Sequence, residues 1–458
     1  MGSRRYPGRR PLRGWQLTAM VGVTGALALA GCGGSSGTSS GGGGGATKSA
    51  SGSATSGTLQ WSASPIAGAG ATDTRTVLIS AFEKQYPNIH VNLVSAPTST
   101  DTNRATLATE ISGGSATPDV FMGDVIWPAQ FAAHQLALPL SDYLPQSYFA
   151  QFAPGLVQGA SYKGKVYGSP LFEDQGFMYY RKDLLQKEGL SPPTTWEQLE
   201  SDAQKIQKAG LVKYGFVWQG ASYEGLTCNF MEYLTSAGGT ATNSAFTKAN
   251  LDSPQAIKAV TFMRSLVTTG VTPAAITTFQ EKEAMNTFAN GDAVFLRNWD
   301  YGYSTAIDPA QSKLKASQVG VEPMPSFAGQ PSPGYSNIGG WNMYINPHSK
   351  NANLDLTFIK WLASDAAQNI LATKYSEIPT TTSVRSSSQV VALNPVLAIV
   401  SKTKLVPRPA GTPNYPALST AIYTNVNAAL AGSSSPSAAL SAAESQASSA
   451  LSSPAGGL

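Results

Sequence analysis

Between residues 58 and 122, short apolar segments alternate with segments of helical periodicity. Residues 58–62 and 89–93 predict strands, and between them apolar side chains recur at helical spacing over 77–82. A second helix is predicted near 104–111, and 119–122 forms a third apolar strand. Parallel strands need a crossover connection, usually a helix. The order βαβαβ therefore predicts a mainly parallel sheet with helices on both faces.

The same alternation starts again after Pro170. Thr195 and Gln198 form a capping-box pattern for a helix that places Trp196 on its apolar face, so this indole is expected in a core. Further helices are predicted over 253–266, 281–289, 354–371 and 440–451, and a strand over 293–296. The chain therefore contains a second region of α/β character.

The first 32 residues have the pattern of an export signal. An apolar stretch over 17–30, too short to span a membrane comfortably, follows five arginines. Leu29-Ala30-Gly31-Cys32 ends it and resembles the lipobox of bacterial lipoproteins, which implies lipid attachment to Cys32. We predict a signal peptide over 1–31 and a secreted protein anchored by lipid to the outer face of the cell membrane. A signal that merely contains a cysteine is the alternative, and the Sec and twin-arginine routes both stay open.

Charge and motif content exclude several classes of function. The arginines before Cys32 account for the net charge of +4, because the other 26 basic residues nearly balance 27 acidic ones. Nothing in this balance suggests nucleic acid as a partner. No Walker motif occurs, and His90, His134 and His348 lie far apart, so neither an enzyme, a metal nor a cofactor is predicted. Cys228 has no disulfide partner once Cys32 is lipidated and is expected to be buried.

Five short motifs occur in a fixed order behind the lipobox. They are Phe82-Glu83-Lys84-Gln85-Tyr86-Pro87-Asn88-Ile89, Pro118-Asp119-Val120-Phe121-Met122-Gly123-Asp124, Tyr179-Tyr180-Arg181-Lys182-Asp183-Leu184-Leu185, Pro193-Thr194-Thr195-Trp196 and Gly339-Gly340-Trp341-Asn342. Together they resemble the extracellular solute-binding proteins of family 1, the class that includes maltose- and trehalose-binding lipoproteins of ABC importers. The resemblance covers about residues 58–451.

This resemblance implies an α/β, two-lobe periplasmic-binding-protein-like fold of type II. Each lobe is then a mainly parallel sheet flanked by helices, with the ligand cleft between the lobes. Chain crossings are expected near 169–172, 337–340 and 377–382. The implied parts are a lipidated Gly- and Ser-rich tether over 32–57, one lobe of 58–169 plus 339–380, and another of 170–338 plus 381–458. The implied partners are a sugar and the ABC permease, and the implied state is a monomer.

A sugar site needs carboxylates, amides or arginine for paired hydroxyls, and aromatic faces for the apolar side of the pyranose. The resemblance places such groups at ten positions: Asp124, Asp174, Trp299, Arg408, Gly340, Trp341, Tyr223, Glu224, Glu281 and Arg104. Trp299 resembles the tryptophan of the family's Asn-Trp-Pro segment. Asp300 stands where proline is common, which affects the expected shape of that loop.

Ordinary structural roles compete with ligand contact at these positions. They are a helix cap for Asp124, a solvated hinge carboxylate for Asp174, a surface loop for Tyr223 and Glu224, a favourable helix-start charge for Glu281, core packing for Trp299 and Trp341, and plain solvation for Arg408. Two flanking prolines, which fix the backbone, favour binding by Arg408.

Two other classes of function compete with sugar capture. A glycosidase would need two carboxylates that flank one bond, but Glu173 and Asp174 are adjacent on an extended chain and point to opposite sides. The same fold serves other ligands, and Tyr179 and Tyr180 leave a non-sugar ligand open. The tryptophan and carboxylate set favours a sugar such as trehalose or maltose.

Overall fold

Two main β-sheets organise the part of the chain that the structure, a computed structural model, describes: residues 51–66 and 72–454. Cys32, the predicted signal peptide and most of the predicted tether lie outside the described residues. The strands are β1 (Gly57–Ala63), β2 (Ile89–Ser95), β3 (Val120–Asp124), β4 (Ser161–Tyr162), β5 (Lys165–Val166), β6 (Ser169–Gln175), β7 (Phe177–Arg181), β8 (Tyr214–Val217), β9 (Ala293–Asn298), β10 (Val319–Glu322), β11 (Tyr335–Ile345) and β12 (Lys404–Val406).

Helices surround both sheets. They are α1 (Thr74–Gln85), α2 (Thr100–Ser112), α3 (Pro128–Ala133), α4 (Gln146–Phe149), α5 (Pro154–Gly159), α6 (Lys182–Lys187), α7 (Trp196–Lys208), α8 (Glu224–Ser236), α9 (Pro254–Thr268), α10 (Glu281–Ala289), α11 (Gly302–Ile307), α12 (Ala352–Leu362), α13 (Asp365–Tyr375), α14 (Thr382–Arg385), α15 (Ser388–Leu393), α16 (Pro395–Ile399), α17 (Tyr415–Ala431) and α18 (Pro436–Ser452). None of the described helices combines the length and apolar composition needed to cross a bilayer.

The larger sheet has the strand order β12-β11-β3-β1-β2, with β6 also paired to β11. Its strands β1, β2 and β3 belong to the first lobe, whereas β12 pairs with residues 335–337 at the start of β11, which the sequence assigns to the second lobe. β1 runs parallel to β2 and β3, as the βαβαβ pattern predicts. Behind the sheet, the rings of Trp61 and Phe82 lie 5.2 and 5.0 Å from Phe358, edge to face. Aromatic pairs favour this arrangement, so helices α1 and α12 are fixed on the same face of β1.

The smaller sheet forms the second lobe and is mixed, not mainly parallel as expected. Its order is β10-β7-β9-β8. β7 is antiparallel to β9 and β10, and only β8 runs parallel to β9. The periodicity of a strand predicts which residues are buried, but it carries no information on strand direction. Trp196 is fully buried as predicted, and its ring stacks on Tyr233 at 4.1 Å.

The helix predicted over 354–371 is in fact two helices. α12 ends at Leu362, and Ser364 begins α13 by accepting a hydrogen bond from the amide of Ala367. A serine that caps a new helix satisfies backbone groups that a continuous helix would satisfy internally, and apolar spacing alone does not reveal this break. The predicted C-terminal helix is confirmed as α18, with Leu440, Ala443 and Ala447 buried.

Three segments connect the two sheets. β6 passes through Gly176 directly into β7 of the smaller sheet. β11 pairs with β3 and β6 of the larger sheet, while the amide of its first residue, Tyr335, donates to Ser236 of α8. The third segment follows α13, where Ile378 forms a bridge with Glu173 of β6. The exact boundaries of the two lobes, as given from sequence, remain predictions.

Candidate functional site

Most of the predicted contact residues converge where the two lobes meet. Asp124 is the last residue of β3, Asp174 lies near the end of β6, and Trp299 follows β9 directly. Glu224 opens α8, and Arg408 follows β12. Loops and strand ends of this kind are the usual ligand-binding positions of open α/β sheets.

Arg408 joins two carboxylates from different parts of the chain. Its Nη2 donates to Oδ1 of Asp124 and its Nη1 to Oε1 of Glu224, each over 2.9 Å. All three side chains are buried. The solvated alternative for Arg408 and the surface-loop alternative for Glu224 are therefore wrong, and we call these three residues the interlobe ion network.

Asp124 does not cap the helix that follows it. α3 starts only at Pro128, and its N-cap residue Trp127 provides no side-chain cap. Asp124 accepts a 3.3 Å bond from the amide of Ile126 and otherwise pairs with Arg408. Its carboxylate is therefore directed toward the other lobe.

Glu224 is held by more partners than the sequence suggests. The hydroxyl of Tyr415 donates to Oε1, and Ser419 donates to Oε2 over 2.6 Å. Burial raises the pKa of Glu224 to about 7, and the positive charge of Arg408 opposes that shift. Tyr415 and Ser419 escape sequence reasoning because they lie on α17, almost 200 residues further along the chain.

Three acidic side chains meet at the crossing segments. One oxygen of each of Asp174, Asp300 and Glu377 lies within 4.8 Å of the others, and all three are buried. We call them the hinge carboxyl cluster. Burial raises the pKa of Asp174 to about 7, and burial together with negative neighbours raises the pKa of Asp300 and Glu377 well above the usual value. The solvated alternative for Asp174 is wrong.

The hinge carboxyl cluster is the one group in the described chain with the spacing of a metal site. Hard cations such as Ca²⁺ take six to eight oxygen ligands, and three carboxylates supply only part of that set. Protons held by the carboxyl groups account for the close approach more simply. The sequence prediction lacks Asp300 and Glu377, although Asp300 stands out in the sequence as an acidic residue where the family resemblance implies proline.

Trp299 forms the aromatic part of the site. Its ring contacts Cys228 and Tyr301, both buried, as predicted for Cys228. The guanidinium of Arg297 lies 4.0 Å from the ring centroid, and Nε1 donates to Glu281 over 3.4 Å. One face of the indole is therefore covered by Arg297.

Hydrogen bonds from Tyr179 and Ile378 hold the loop that carries Trp299 in place. The hydroxyl of Tyr179 donates to the carbonyl of Trp299 over 2.6 Å and contacts that of Asp300 at 3.1 Å. The Oδ2 of Asp300 also accepts a 3.0 Å bond from the amide of Ile378. These bonds hold the loop in place, although Asp300 stands where the sequence resemblance implies a proline.

Glu281 does more than favour a helix start. The capping bond of α10 comes from Glu283, whose Oε2 accepts from the amide of Gln280 over 3.0 Å. Glu281 instead receives the indole N–H of Trp299. Tyr223 lies beside it, and burial, followed by the charge of Glu281, raises the pKa of Tyr223 well above its usual value.

Gly340, Trp341 and Arg104 are the remaining predicted contact residues. Gly340 has φ +117°, and a Cβ there would lie 2.5 Å from the carbonyl of Phe172, so no side chain fits. Trp341 is partly buried against the core of the first lobe, which supports core packing. Arg104 donates to Gln130 over 3.1 Å and lies close enough to Glu224 to interact electrostatically.

The fold and this site together define a solute-binding protein with a ligand position between two lobes. The pattern of bacterial extracellular solute-binding proteins matches residues 68–369, about two thirds of the sequence. The chain belongs to this family, whose members bind substrates and are not enzymes.

Individual relatives agree with this assignment. The chain is 33% identical over 376 residues to a probable ABC transporter-binding protein of Deinococcus radiodurans, covering 80% of this chain and 87% of the relative. Maltose-bound MalE3 of T. maritima has a TM-score of 0.78 and 33% identity, over 85% of this chain and 98% of the neighbour. An ABC transporter solute-binding protein of Thermotoga lettingae bound with α-D-tagatose has a TM-score of 0.76 and 26% identity, over 86% and 100%. The family context is therefore sugar uptake by ABC transporters.

Proposed function

We propose that this protein captures an α-linked glucose disaccharide, such as trehalose or maltose, and delivers it to an ABC permease. The observation that carries this proposal is the convergence of Trp299 with polar groups from both lobes. An indole face suits the C–H side of a pyranose. The interlobe ion network supplies charged partners for the hydroxyl groups, and Asp174 supplies a buried carboxyl group.

The charge balance of the site favours a neutral ligand. The buried guanidinium groups of Arg297 and Arg408 are both paired with carboxylates, so neither offers a free positive charge to an anion. Asp174 and its neighbours in the hinge carboxyl cluster add acidic groups. A phosphorylated or acidic sugar would be repelled by these groups unless its negative charge reached Arg104, whereas a neutral sugar can donate hydroxyl protons to them.

Asp174 illustrates how a hydroxyl would be bound. Its buried carboxyl group is hydrogen-bonded to Asp300 and Glu377 within the hinge carboxyl cluster. Each carboxyl oxygen has more than one lone pair, so the group can accept a further hydrogen bond from a sugar hydroxyl. Asp174 also lies next to Trp299, because both flank Gly339.

The similar structures bear on the size of the sugar. The protein of T. maritima binds maltose, whereas that of Thermotoga lettingae binds the monosaccharide α-D-tagatose. We favour the disaccharide because the candidate polar contacts include Glu224 and Arg104 in addition to Asp174, a larger set than the hydroxyl groups of one ring need.

A panel of sugars tests the proposal. The melting temperature of the purified protein would be recorded with each solute in turn: trehalose, maltose, tagatose, glucose 6-phosphate and several non-sugar solutes. A ligand that binds only the folded form raises that temperature by mass action. We expect a rise with trehalose or maltose and none with glucose 6-phosphate. A rise with non-sugar solutes alone would contradict the proposal, and chromatography of the incubated disaccharides should show no product.

The proposed cellular setting is a monomer tethered outside the cell by lipid on Cys32. The Gly- and Ser-rich segment that follows Cys32 would give the lobes freedom to reach the permease. Mass spectrometry of the mature native protein should show an N-terminal, lipid-modified Cys32. An unmodified cysteine there would disprove the anchor, and Cys32→Ser should release the protein or leave its signal segment attached.

A further inference from the structure

A buried cation lies directly behind the aromatic ring of the site. Arg297 and Trp299 are two positions apart, at the end of β9 and just after it, and alternate residues of a strand point to the same face. The guanidinium carbon lies 4.0 Å from the indole centroid, and Arg297 is 1% exposed. Cation–π contacts of this type are strongest when desolvated, as here.

Glu232 fixes the orientation of this guanidinium. Arg297 Nη2 donates to Oε1 of Glu232 over 2.6 Å, and its Nε to Oε2 over 3.0 Å. Its Nη1 donates to Gln219 over 3.0 Å, and Gln219 in turn binds the carbonyl of Arg297. A planar guanidinium held by a two-bond pair and a third acceptor has little freedom to rotate.

The same ion pair is attached to the segments that connect the lobes. Oε1 of Glu232 accepts a 3.0 Å bond from the amide of Asn337 in β11. Gly176, between β6 and β7, has room for no side chain, because a Cβ there would collide with Glu232 and Arg297. The pair therefore lies against both strands at the crossing.

We propose that Arg297, held by Glu232, is a positioning residue for the sugar-stacking face of Trp299. It covers the rear of the indole, so that a single pyranose can stack on the front, and it links the plane of the ring to the crossing strands. The inference rests on the proposed function, in which Trp299 stacks on a sugar. Arg297 itself lies behind the ring and acts on ligand only through Trp299.

The test replaces the ion pair without leaving a buried charge. Arg297→Met/Glu232→Gln keeps side chains of similar length and an acceptor for Asn337, and neutral replacement of a buried pair is often tolerated. The matched control is Arg181→Met/Asp183→Asn, which removes another two-bond pair, with distances of 2.8 and 2.6 Å, at the opposite end of β7. Arg297→Lys keeps a cation but loses the planar fork.

Three quantities would be measured: the melting temperature, the affinity for maltose and trehalose, and the near-ultraviolet circular dichroism assigned to Trp299 by difference from Trp299→Phe. We expect the double variant at Arg297 and Glu232 to fold, to lose affinity about ten-fold, and to show a changed Trp299 signal. Arg297→Lys should retain part of the wild-type affinity and part of the wild-type Trp299 signal. The control double variant at Arg181 and Asp183 should change neither the affinity nor the Trp299 signal.

A folded double variant with wild-type affinity and an unchanged Trp299 signal would overturn the positioning role. If the double variant does not fold, Arg297→Lys tests the positioning role instead. The role predicts that Arg297→Lys folds and shows an altered Trp299 signal, and a folded Arg297→Lys with the wild-type signal would overturn it. If the wild-type protein binds no sugar, the proposed function fails, but the Trp299 signal of the variants still reports whether Arg297 fixes the ring.

Discussion

Arg408 neutralises two buried carboxylates at once, and its loss should be costly. Arg408→Met would leave Asp124 and Glu224 buried without their counter-charge, and removing one partner of a buried pair costs about 3 kcal/mol or more of unfolding free energy. Urea denaturation measures this loss, with Lys248→Met at an exposed position as the control. A loss below about 1 kcal/mol would show that the interlobe ion network does not stabilise the contact between the lobes.

Gly339 separates Asp174 from the ring of Trp299. A Cβ at this position would lie 3.0 Å from the Cβ of Asp174 and 3.1 Å from the indole. Gly339→Ala should therefore displace both groups and weaken sugar binding, since overpacking costs about 1–3 kcal/mol. Calorimetry would measure the affinity, with Gly155→Ala, where a Cβ meets no atom within 4 Å, as the control. Equal affinities in both variants would argue against the proposed position of the sugar.

At the scale of single residues, the sequence predicts types of side chain but not their partners. Asp124, Glu224 and Arg408 were each identified as ligand contacts, yet Arg408 lies 284 positions from Asp124 and 184 from Glu224. No local pattern shows that these charges pair with one another. Arg297 and Glu232 were missed for the same reason.

Two connecting segments and the loop after β9 carry the hinge carboxyl cluster, and the burial of its carboxyl groups should make stability depend on pH. The folded pKa of Asp174 is raised to about 7, whereas an unfolded aspartate ionises near about 4. The folded protein therefore holds more protons between these values. Stability should fall as pH rises through this window and become level above the folded pKa.

Asp300→Asn should reduce this pH dependence, because one member of the hinge carboxyl cluster then cannot ionise. Burial also raises the pKa of Glu224 and Asp355 to about 7, so these two groups contribute to the same fall of unfolding free energy with pH. The quantity to compare is therefore the difference in unfolding free energy between Asp300→Asn and the parent at each pH. Urea unfolding at several pH values between 5 and 8 measures it, with exposed Asp292→Asn as the control. Parallel pH profiles for parent and Asp300→Asn would contradict the coupling. Asp124 and Glu173 face Asp174, Tyr179 lies near Asp300 and Glu377, and Tyr301 lies near Asp174 and Glu377.

At the scale of elements, hydrophobic periodicity predicts that a helix or strand is present better than it predicts where that element ends or in which direction it runs. The strands and helices of the first lobe follow from local spacing, and so does α18. The break between α12 and α13 depends on a single capping serine, and the direction of β7 depends on its continuity with β6 through Gly176. Both are decided by tertiary packing, which no short window of sequence contains.

For the molecule as a whole, we predict closure of the lobes on sugar binding. Contacts from both lobes make the closed arrangement bind better, so ligand should increase its population. Small-angle scattering should show a smaller radius of gyration at saturating sugar. Trp299→Ala at the same sugar concentration serves as the control and should keep the larger radius. An unchanged radius in the saturated parent would argue against closure.

The central claim is that one neutral sugar is held jointly by Trp299 and Asp124, from opposite lobes. Calorimetric titration of trehalose and maltose into the parent, Trp299→Ala and Asp124→Asn tests it most directly, with unliganded melting curves recorded in parallel. We expect both variants to fold and each to lose about 1–3 kcal/mol of binding free energy, through lost stacking and through a lost charged hydrogen bond, respectively. Two stably folded variants with the parent's affinity for every sugar that the parent binds would contradict the account.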